Sequence, residues 1–506
     1  MSFKLEVHIN GKLTEIETQD QQNLLYVLRE NDFDVYAPCG GKGTCGKCQV
    51  DIKDIGRVAA CRQVIDENLT VILPEHKESQ ILIKQHQYSF KLPLEPGTCI
   101  ALSKTPFGVA VDLGTTSIVF YLIDLIDGGV VKTKAIPNPQ ARFGADVITR
   151  IDYASKSPDN LLTLQNIIIE TINHQLDHFI STQQLNVNDL VKISIAGNTT
   201  MLHLLMNVDP LPIALVPFKP RFIDRQVINA SIYNLHCNPE ALVETLPGAS
   251  AYVGADVLAG LASIAPPDNV KTWLLMDIGT NGELVLITPE NVYCCAAPAG
   301  PAFEGARIEH GMLAVDGAIS SYTESGYTVI GNIAPMGICG SGLIDLVAYL
   351  VNEKIIDSEG LLENSFEIVN SEQSGTGEPI ELIQKDIREL QLAKSAIAAG
   401  VNILLKRAGV AAKEVDAVFL AGGFGNYLNT KSAIDIGLLH PDFEGKIIPI
   451  GNASGTGATL TVKSEKFHDR MKIYQQRMIN IELSDEESFA LEFAMNMFLG
   501  DGFLMG

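Results

Sequence analysis

The chain has 506 residues, nine of them cysteines, and a net charge of −23. That length allows roughly three domains at about 150 residues each, and such a chain can bury its cores without disulfides. The acidic balance excludes a protein that holds nucleic acid by neutralising phosphates with Lys and Arg, although backbone N–H groups can still bind a single nucleotide.

At the N-terminus Phe3, Leu5, Val7 and Ile9 alternate with Lys4, Glu6 and His8, the two-residue period of a half-buried strand. The segment lacks the apolar core of a signal peptide, and no run approaches the ~20 apolar residues that span a bilayer. A cytoplasmic location without membrane contact is therefore expected, where cysteines serve as thiols or metal ligands. Asn10-Gly11 predicts a hairpin turn and a second strand through Leu13 and Ile16. Asp20 is placed to cap a helix with Leu24, Leu25 and Leu28 on one face. Val50–Ile52 and Leu69–Leu73 read as further strands, giving an α+β unit over residues 1–75.

Between them lies a glycine-rich loop, Cys39-Gly-Gly-Lys-Gly-Thr-Cys45-Gly-Lys-Cys48. Gly41 to Cys48 nearly fits a phosphate loop, but Cys48 replaces the hydroxyl that would hold magnesium and no apolar helix follows. Cys39, Cys45, Cys48 and Cys61 instead supply the four thiolates of a 2Fe–2S cluster. Zinc is the alternative, but four-cysteine zinc sites usually come as two close pairs, and Cys61 has no close partner. Cys99 is the nearest substitute for Cys61. In this setting the loop resembles that of 2Fe–2S ferredoxins with a β-grasp fold.

Residues 76–107 hold Pro93, Pro96 and Pro106 with scattered charges and read as a linker. Then VAVDLGTTSIVFYL at 109–122 and LLMDIGTNGELVL at 274–286 repeat one pattern, strand, D-x-G-T, strand. One duplication explains it, with halves at about 108–270 and 271–450 and a C-terminal segment returning to the first half. Gly114 and Gly279 allow tight turns whose N–H groups converge on an anion. Thr115, Thr116 and Thr280 add hydroxyls, with Asn281 beside them. Asp112 and Asp277 stand at strand ends, placed to hold Mg2+ through water. Asn198 and Thr199 open a helix after a buried strand, as does Asp256 after Gly254, and Gly451 to Gly457 has the same character. Residues 415–425, VDAVFLAGGFG, end a strand in glycines that let backbone lie flat against a base.

The two D-x-G-T hairpins and the late Gly-Gly resemble the superfamily of actin, sugar kinases and heat-shock chaperones. That resemblance implies ATP phosphates held across a cleft and adenosine against Gly422, Gly423 and Phe424. The fold class expected is thus a β-grasp ferredoxin domain followed by a duplicated actin-like α/β ATPase domain over residues 108–506.

Together with the cysteine loop, Val111 to Thr116, Asp277 to Glu283, Pro298 to Ala306 and Ala421 to Gly425, this pairing resembles the reductive activators of corrinoid-dependent enzymes. The resemblance implies ATP-driven transfer of one electron to a corrinoid cobalt that has fallen from Co(I) to Co(II). Its partners would be a corrinoid protein of a methyltransferase system and an upstream low-potential donor, with a homodimer through the ATPase domain left open. Asp277, Asp256 and Glu283 are the candidates for orienting the ion and its water in ATP hydrolysis. Some members carry an extra domain ahead of the cleft; Pro106 runs straight into the first hairpin strand, so that domain is expected to be absent. The alternatives are a small-molecule kinase with a redox-sensing ferredoxin domain, for which no acceptor base is evident, and a non-catalytic ATP-gated scaffold.

Overall fold

The computed structural model describes residues 2–9, 12–31, 33, 35, 43, 48–73, 88–144, 146–279, 281–422 and 428–500. At the N-terminus β1 (Ser2–Ile9) and β2 (Lys12–Gln19) pair antiparallel, from Ser2 opposite Gln19 to Ile9 opposite Lys12. Leu5, Val7 and Ile16 are buried, as alternation along a one-sided sheet requires. Helix α1 (Leu24–Glu30) follows, but Asn23 caps it rather than Asp20: Asn23 Oδ1 accepts the Leu25 N–H at 3.1 Å. Asp20 sits in the turn before a short ladder of Gln22–Asn23 against Val64–Ile65, which uses up the residues a cap at Asp20 would need.

Strands β3 (Gln49–Ile52), β4 (Gly56–Ala59) and β5 (Leu69–Ile72) complete a sheet of order β2-β1-β5-β3-β4, with β1 and β5 parallel at its centre. Leu24, Leu25 and Leu28 of α1 share one core with Leu5, Val7, Val50, Ile52 and Val71. A helix packed on a mixed sheet with a parallel central pair is the β-grasp fold.

The proline-containing stretch from Tyr88 to Pro106 is not a free linker. The Phe90 N–H donates to the Ser263 carbonyl at 2.7 Å, and the Arg470 guanidinium lies 4.0 Å above the Phe90 ring. The buried Lys192 ammonium donates to the Pro96 carbonyl at 3.2 Å and pairs with Glu465. Phe90 and Leu92 pack on the core of the first half, while Tyr88 sets its ring edge-on to Phe419 of the second, centroids 5.6 Å apart. The stretch therefore straps both halves. Only residues 74–87 separate it from the β-grasp domain, a length that spans at most about 50 Å when extended.

The first half is built on β6 (Phe107–Leu113), β7 (Ser117–Asp124), β8 (Val130–Pro137), β9 (Leu190–Gly197), β10 (Gln226–Asn229) and β11 (Leu242–Thr245), in the order β8-β7-β6-β9-β11-β10. The second uses β12 (Trp273–Ile278), β13 (Gly282–Ile287), β14 (Val292–Ala297), β15 (Ala417–Ala421), β16 (Ile447–Gly451) and β17 (Met478–Asn480), in the order β16-β15-β12-β13-β14-β17. Each sheet has three antiparallel strands followed by two parallel ones, β8-β7-β6-β9-β11 matching β14-β13-β12-β15-β16. The match extends to register: Asp112 lies opposite Ala196, and Asp277 opposite Ala421.

Helices α2 (Val147–Ser155), α3 (Pro158–Gln183), α4 (Thr199–Leu205) and α5 (Ala255–Ser263) follow in the first half, α6 (Gly340–Asn352) and α7 (Gln384–Ala408) in the second. After Gly451 the chain serves both halves. Helix α8 (Ala453–Lys463) lies against α5, so close that a Cβ on Gly457 would come within 2.3 Å of the Ala259 carbonyl. Helix α9 (Lys466–Arg477) buries Phe467 and Met471 in the first-half core. β17 then joins the edge of the second sheet beside β14, and α10 (Phe489–Met495) sends Glu492 to Asn402 of α7. Among the described residues no helix is long and apolar enough to cross a membrane.

Candidate functional site

Four carboxylates meet between the two sheets. Asp112 ends β6, Asp277 ends β12, Glu283 faces Asp277 across the β12–β13 pair, and Asp256 stands in the first turn of α5. Asp112 is held on both oxygens, by Asn452 Nδ2 and Ser454 Oγ at 2.7 Å each. These donors open α8, so the segment from Gly451 to Gly457 fixes Asp112 from the chain that leaves the second sheet. Asp256 Oδ1 accepts the Val257 N–H at 2.8 Å.

Burial, then the charges of Asp112 and Asp277, push the Asp256 carboxyl up to about 7. Burial and Asp112 push Asp277 up to about 7 as well. Glu283 is driven well above the usual carboxylate range by burial, Asp277 and Asp256. These carboxylates thus crowd one another, and among the described residues none of the four is in an ion pair, an arrangement that could take a divalent cation with oxygen ligands. Among the described residues no three ligating groups close around one point.

This arrangement fixes the sign of a pH effect. In the unfolded chain these aspartates titrate near 3.8. Between there and about 7 the folded state binds more protons, so stability falls as pH rises through that window. A divalent cation held by the ionised pair would reverse the loss. Melting temperature should rise more on adding magnesium at pH 8 than at pH 6; equal rises would show that these aspartates do not hold the ion.

The first hairpin turns at Gly114, where an added Cβ would lie 2.5 Å from the Ser117 carbonyl. Its three carbonyls are all engaged. Asn138 Nδ2 donates to Gly114 O at 2.8 Å, the Asn138 N–H to Thr116 O at 2.8 Å, and Arg150 Nη2 to Thr115 O at 2.6 Å. Asn198 caps α4 and donates from Nδ2 to Thr115 Oγ1 at 2.9 Å. Thr116 Oγ1 reaches Glu304 Oε1 of the second half at 3.5 Å. Thr199 turns away, its hydroxyl donating to the Ser250 carbonyl at 2.7 Å. In the second hairpin the Gly279 N–H donates to Asn281 O at 2.9 Å, and the Asn281 side chain hydrogen-bonds Glu283. Gly422 follows Ala421 next to Asp277. Thr280, Gly423 and Phe424 lie outside the described residues.

Sequence reasoning missed Arg150, Asn138 and the specific role of Asn452 with Ser454. No local signal marks Arg150, because the loop it supports is 35 residues earlier in the chain. Cys294, Cys295 and Cys339 are buried in the second half, and the Cys339 thiol donates to the Ile319 carbonyl at 3.4 Å.

In the β-grasp domain Cys48 precedes β3, and Cys61 lies in a one-turn helix over Ala60–Arg62. The Cys61 N–H donates to Cys48 Sγ at 3.3 Å, and the Ala60 N–H to Cys48 O at 2.7 Å. Asn23 Nδ2 holds the Cys61 carbonyl at 2.8 Å, and Arg62 Nε donates to Gly43 O at 3.0 Å. A backbone amide of one cysteine donating to the sulfur of the other suits thiolate ligation of an iron–sulfur cluster, whose negative sulfurs such amides stabilise. Cys39 and Cys45 lie outside the described residues. Cys99 is elsewhere, in the strap against the first-half core, with burial pushing its thiol up.

Three family models match the chain. One described as the 2Fe-2S iron-sulfur cluster binding domain covers residues 7–69, the RACo middle region covers 107–265, and the C-terminal domain of RACo, the ASKHA domain, covers 271–503. The family's middle region is therefore present here as the half that carries the first hairpin. The corrinoid activation enzyme RamQ of Eubacterium limosum is 30% identical, over 92% of this chain and 94% of its own length. The [Co(II) methylated amine-specific corrinoid protein] reductase of Methanosarcina barkeri is 26% identical over 72% of each chain. A solved structure described as a reductive activator for corrinoid,iron-sulfur protein superposes with a TM-score of 0.71 at 30% identity, covering 98% of both chains.

Proposed function

Because the chain belongs to the RACo family of corrinoid-activating proteins, we propose that it is an ATP-dependent reductase that returns the Co(II) corrinoid of a methyltransferase-system protein to Co(I). The observation that carries this reading is the joining of the Cys48–Cys61 pair to a two-hairpin carboxylate cleft on one chain. Residues 1–75 form the electron-carrying domain, and residues 108–506 the ATPase. Relatives spanning nearly the whole chain are named as corrinoid activators, which favours this over a small-molecule kinase.

Cys39, Cys45, Cys48 and Cys61 would hold a 2Fe–2S cluster, which when bound gives the chain a one-electron carrier. Asp112 and Asp277 would hold magnesium, which when bound neutralises the phosphates. The N–H groups of Gly114, Thr115 and Thr116 would take phosphate oxygens, and the Gly422-Gly423-Phe424 stretch would take the adenosine. Asp256, whose carboxyl burial pushes up to about 7, is suited to accept a proton from an attacking water, and Glu283 would help position that water.

Co(I) is a strong reductant, and each ~59 mV shortfall of the donor costs a factor of ten in the one-electron equilibrium. ATP can help only through unequal affinity for two states of the complex. The strap from Tyr88 to Pro106 touches both halves, so a change in their angle would move the tether of the electron-carrying domain. The test is the optical spectrum of a Co(II) corrinoid protein mixed anaerobically with this protein and a low-potential reductant. Co(I) should appear only with magnesium and ATP; the same rate without ATP would sink the proposal.

A further inference from the structure

Arg150 is fully buried, a rare state for a guanidinium. Among the described residues every hydrogen-bond partner it has is neutral. Nη2 donates to Thr115 O at 2.6 Å, Nε to Gly144 O at 2.9 Å, and Nη1 to Gln140 Oε1 at 3.3 Å and Met201 Sδ at 3.2 Å. Among the described residues no carboxylate lies within ion-pair distance of it. Burial lowers its pKa to about 10, with Asp146 opposing, so it stays charged at neutral pH. A buried, unneutralised cation is costly unless something supplies the opposite charge.

The position of that cation is informative. With Asn138 it engages the carbonyls of Gly114, Thr115 and Thr116. Among the described residues the N–H groups of the same three donate to no protein acceptor, and the three are partly accessible. Carbonyls drawn to one side leave the amides on the other, which makes an anion-binding concavity. Carboxylates border both hairpins, Asp112 at the first with Asp256 on α5 of the same half, and Asp277 with Glu283 at the second.

We infer that Arg150 is a positioning residue for the nucleotide phosphates: it shapes the first hairpin from behind and places a positive charge behind the amides that face them. The inference rests on the ATP reading above and adds to it a residue behind the hairpin. Arg150 does not touch the nucleotide. It acts through the Thr115 carbonyl and through its charge.

The test compares ATP with adenosine by equilibrium binding to the full-length protein in magnesium. Arg150→Met keeps bulk and removes the charge and the fork; ATP affinity should fall about 10- to 100-fold, the scale of a charge-assisted hydrogen bond, while adenosine affinity is unchanged. Arg150→Lys keeps the charge without the fork and should fall between wild type and Arg150→Met for ATP. If Arg150→Met does not fold, Arg150→Lys carries the comparison alone, with the same selective loss expected. Equal losses for ATP and adenosine would mean a merely structural arginine, and unchanged ATP affinity would also overturn the inference. If the wild-type protein binds adenosine and ATP equally or binds neither, the ATP reading itself fails.

Discussion

Asp277→Asn should lower magnesium-dependent ATP hydrolysis by roughly 100-fold or more, the scale on which removing one preorganised charge from a reacting centre acts. Asp277 ends β12 opposite Glu283 and repels Asp112, so it stands where the two hairpins converge. The same substitution removes one charge from a crowded cluster. In metal-free protein at pH 8 the variant should therefore melt higher than wild type, as often follows when a strained functional charge is removed. A loss of activity with a gain in stability separates a damaged site from a damaged fold. Thr199→Ala is the control: its hydroxyl is already given to the Ser250 carbonyl, so hydrolysis should stay near wild type. Phosphate release at saturating ATP, with melting curves on the same samples, checks both. Full turnover in Asp277→Asn would place hydrolysis elsewhere.

What the sequence made legible was local or repeated. The alternation of Leu5 and Val7 is enough to orient β1, because a two-residue period has one solution on a half-buried sheet. The two D-x-G-T segments located the cleft because a strand–turn–strand unit is contiguous in sequence. The duplication runs further than those segments show: Ile193 to Gly197 and Val418 to Gly422 are equivalent strand ends, revealed by the shared register of Asp112 with Ala196 and Asp277 with Ala421. Their sequences differ too much for the pairing to show without the sheets.

The rest was hidden because its partners are distant. The stretch around Pro93 and Pro96 has the composition of a linker, yet Ser263, Lys192 and Arg470 anchor it from far along the chain. Arg150 looks like any arginine of an amphipathic helix until Thr115 is placed beside it. Asp20 has the right chemistry for a cap and loses to Asn23 because a two-residue ladder intervenes. Strand β4 carries no alternation in Gly-Arg-Val-Ala and forms because β3 offers it an edge.

If the chain works as proposed, the electron reaching cobalt passes through its N-terminal domain, and Cys48 is the residue to change. It is buried, its sulfur accepts the Cys61 N–H, and its carbonyl holds Ala60, so a serine preserves the backbone contacts while replacing the thiolate. Cys48→Ser purified anaerobically should lose most of its iron and colour, since hydroxyls are poor ligands for iron–sulfur clusters. The cleft is untouched, so ATP hydrolysis should continue at the wild-type rate. The decisive measurement is the appearance of Co(I) in the optical spectrum of a Co(II) corrinoid protein, with reductant, magnesium and ATP, for wild type and Cys48→Ser side by side. Co(I) should form with wild type and stay at background with the variant; iron-free Cys48→Ser reducing cobalt at the wild-type rate would contradict this route for the electron.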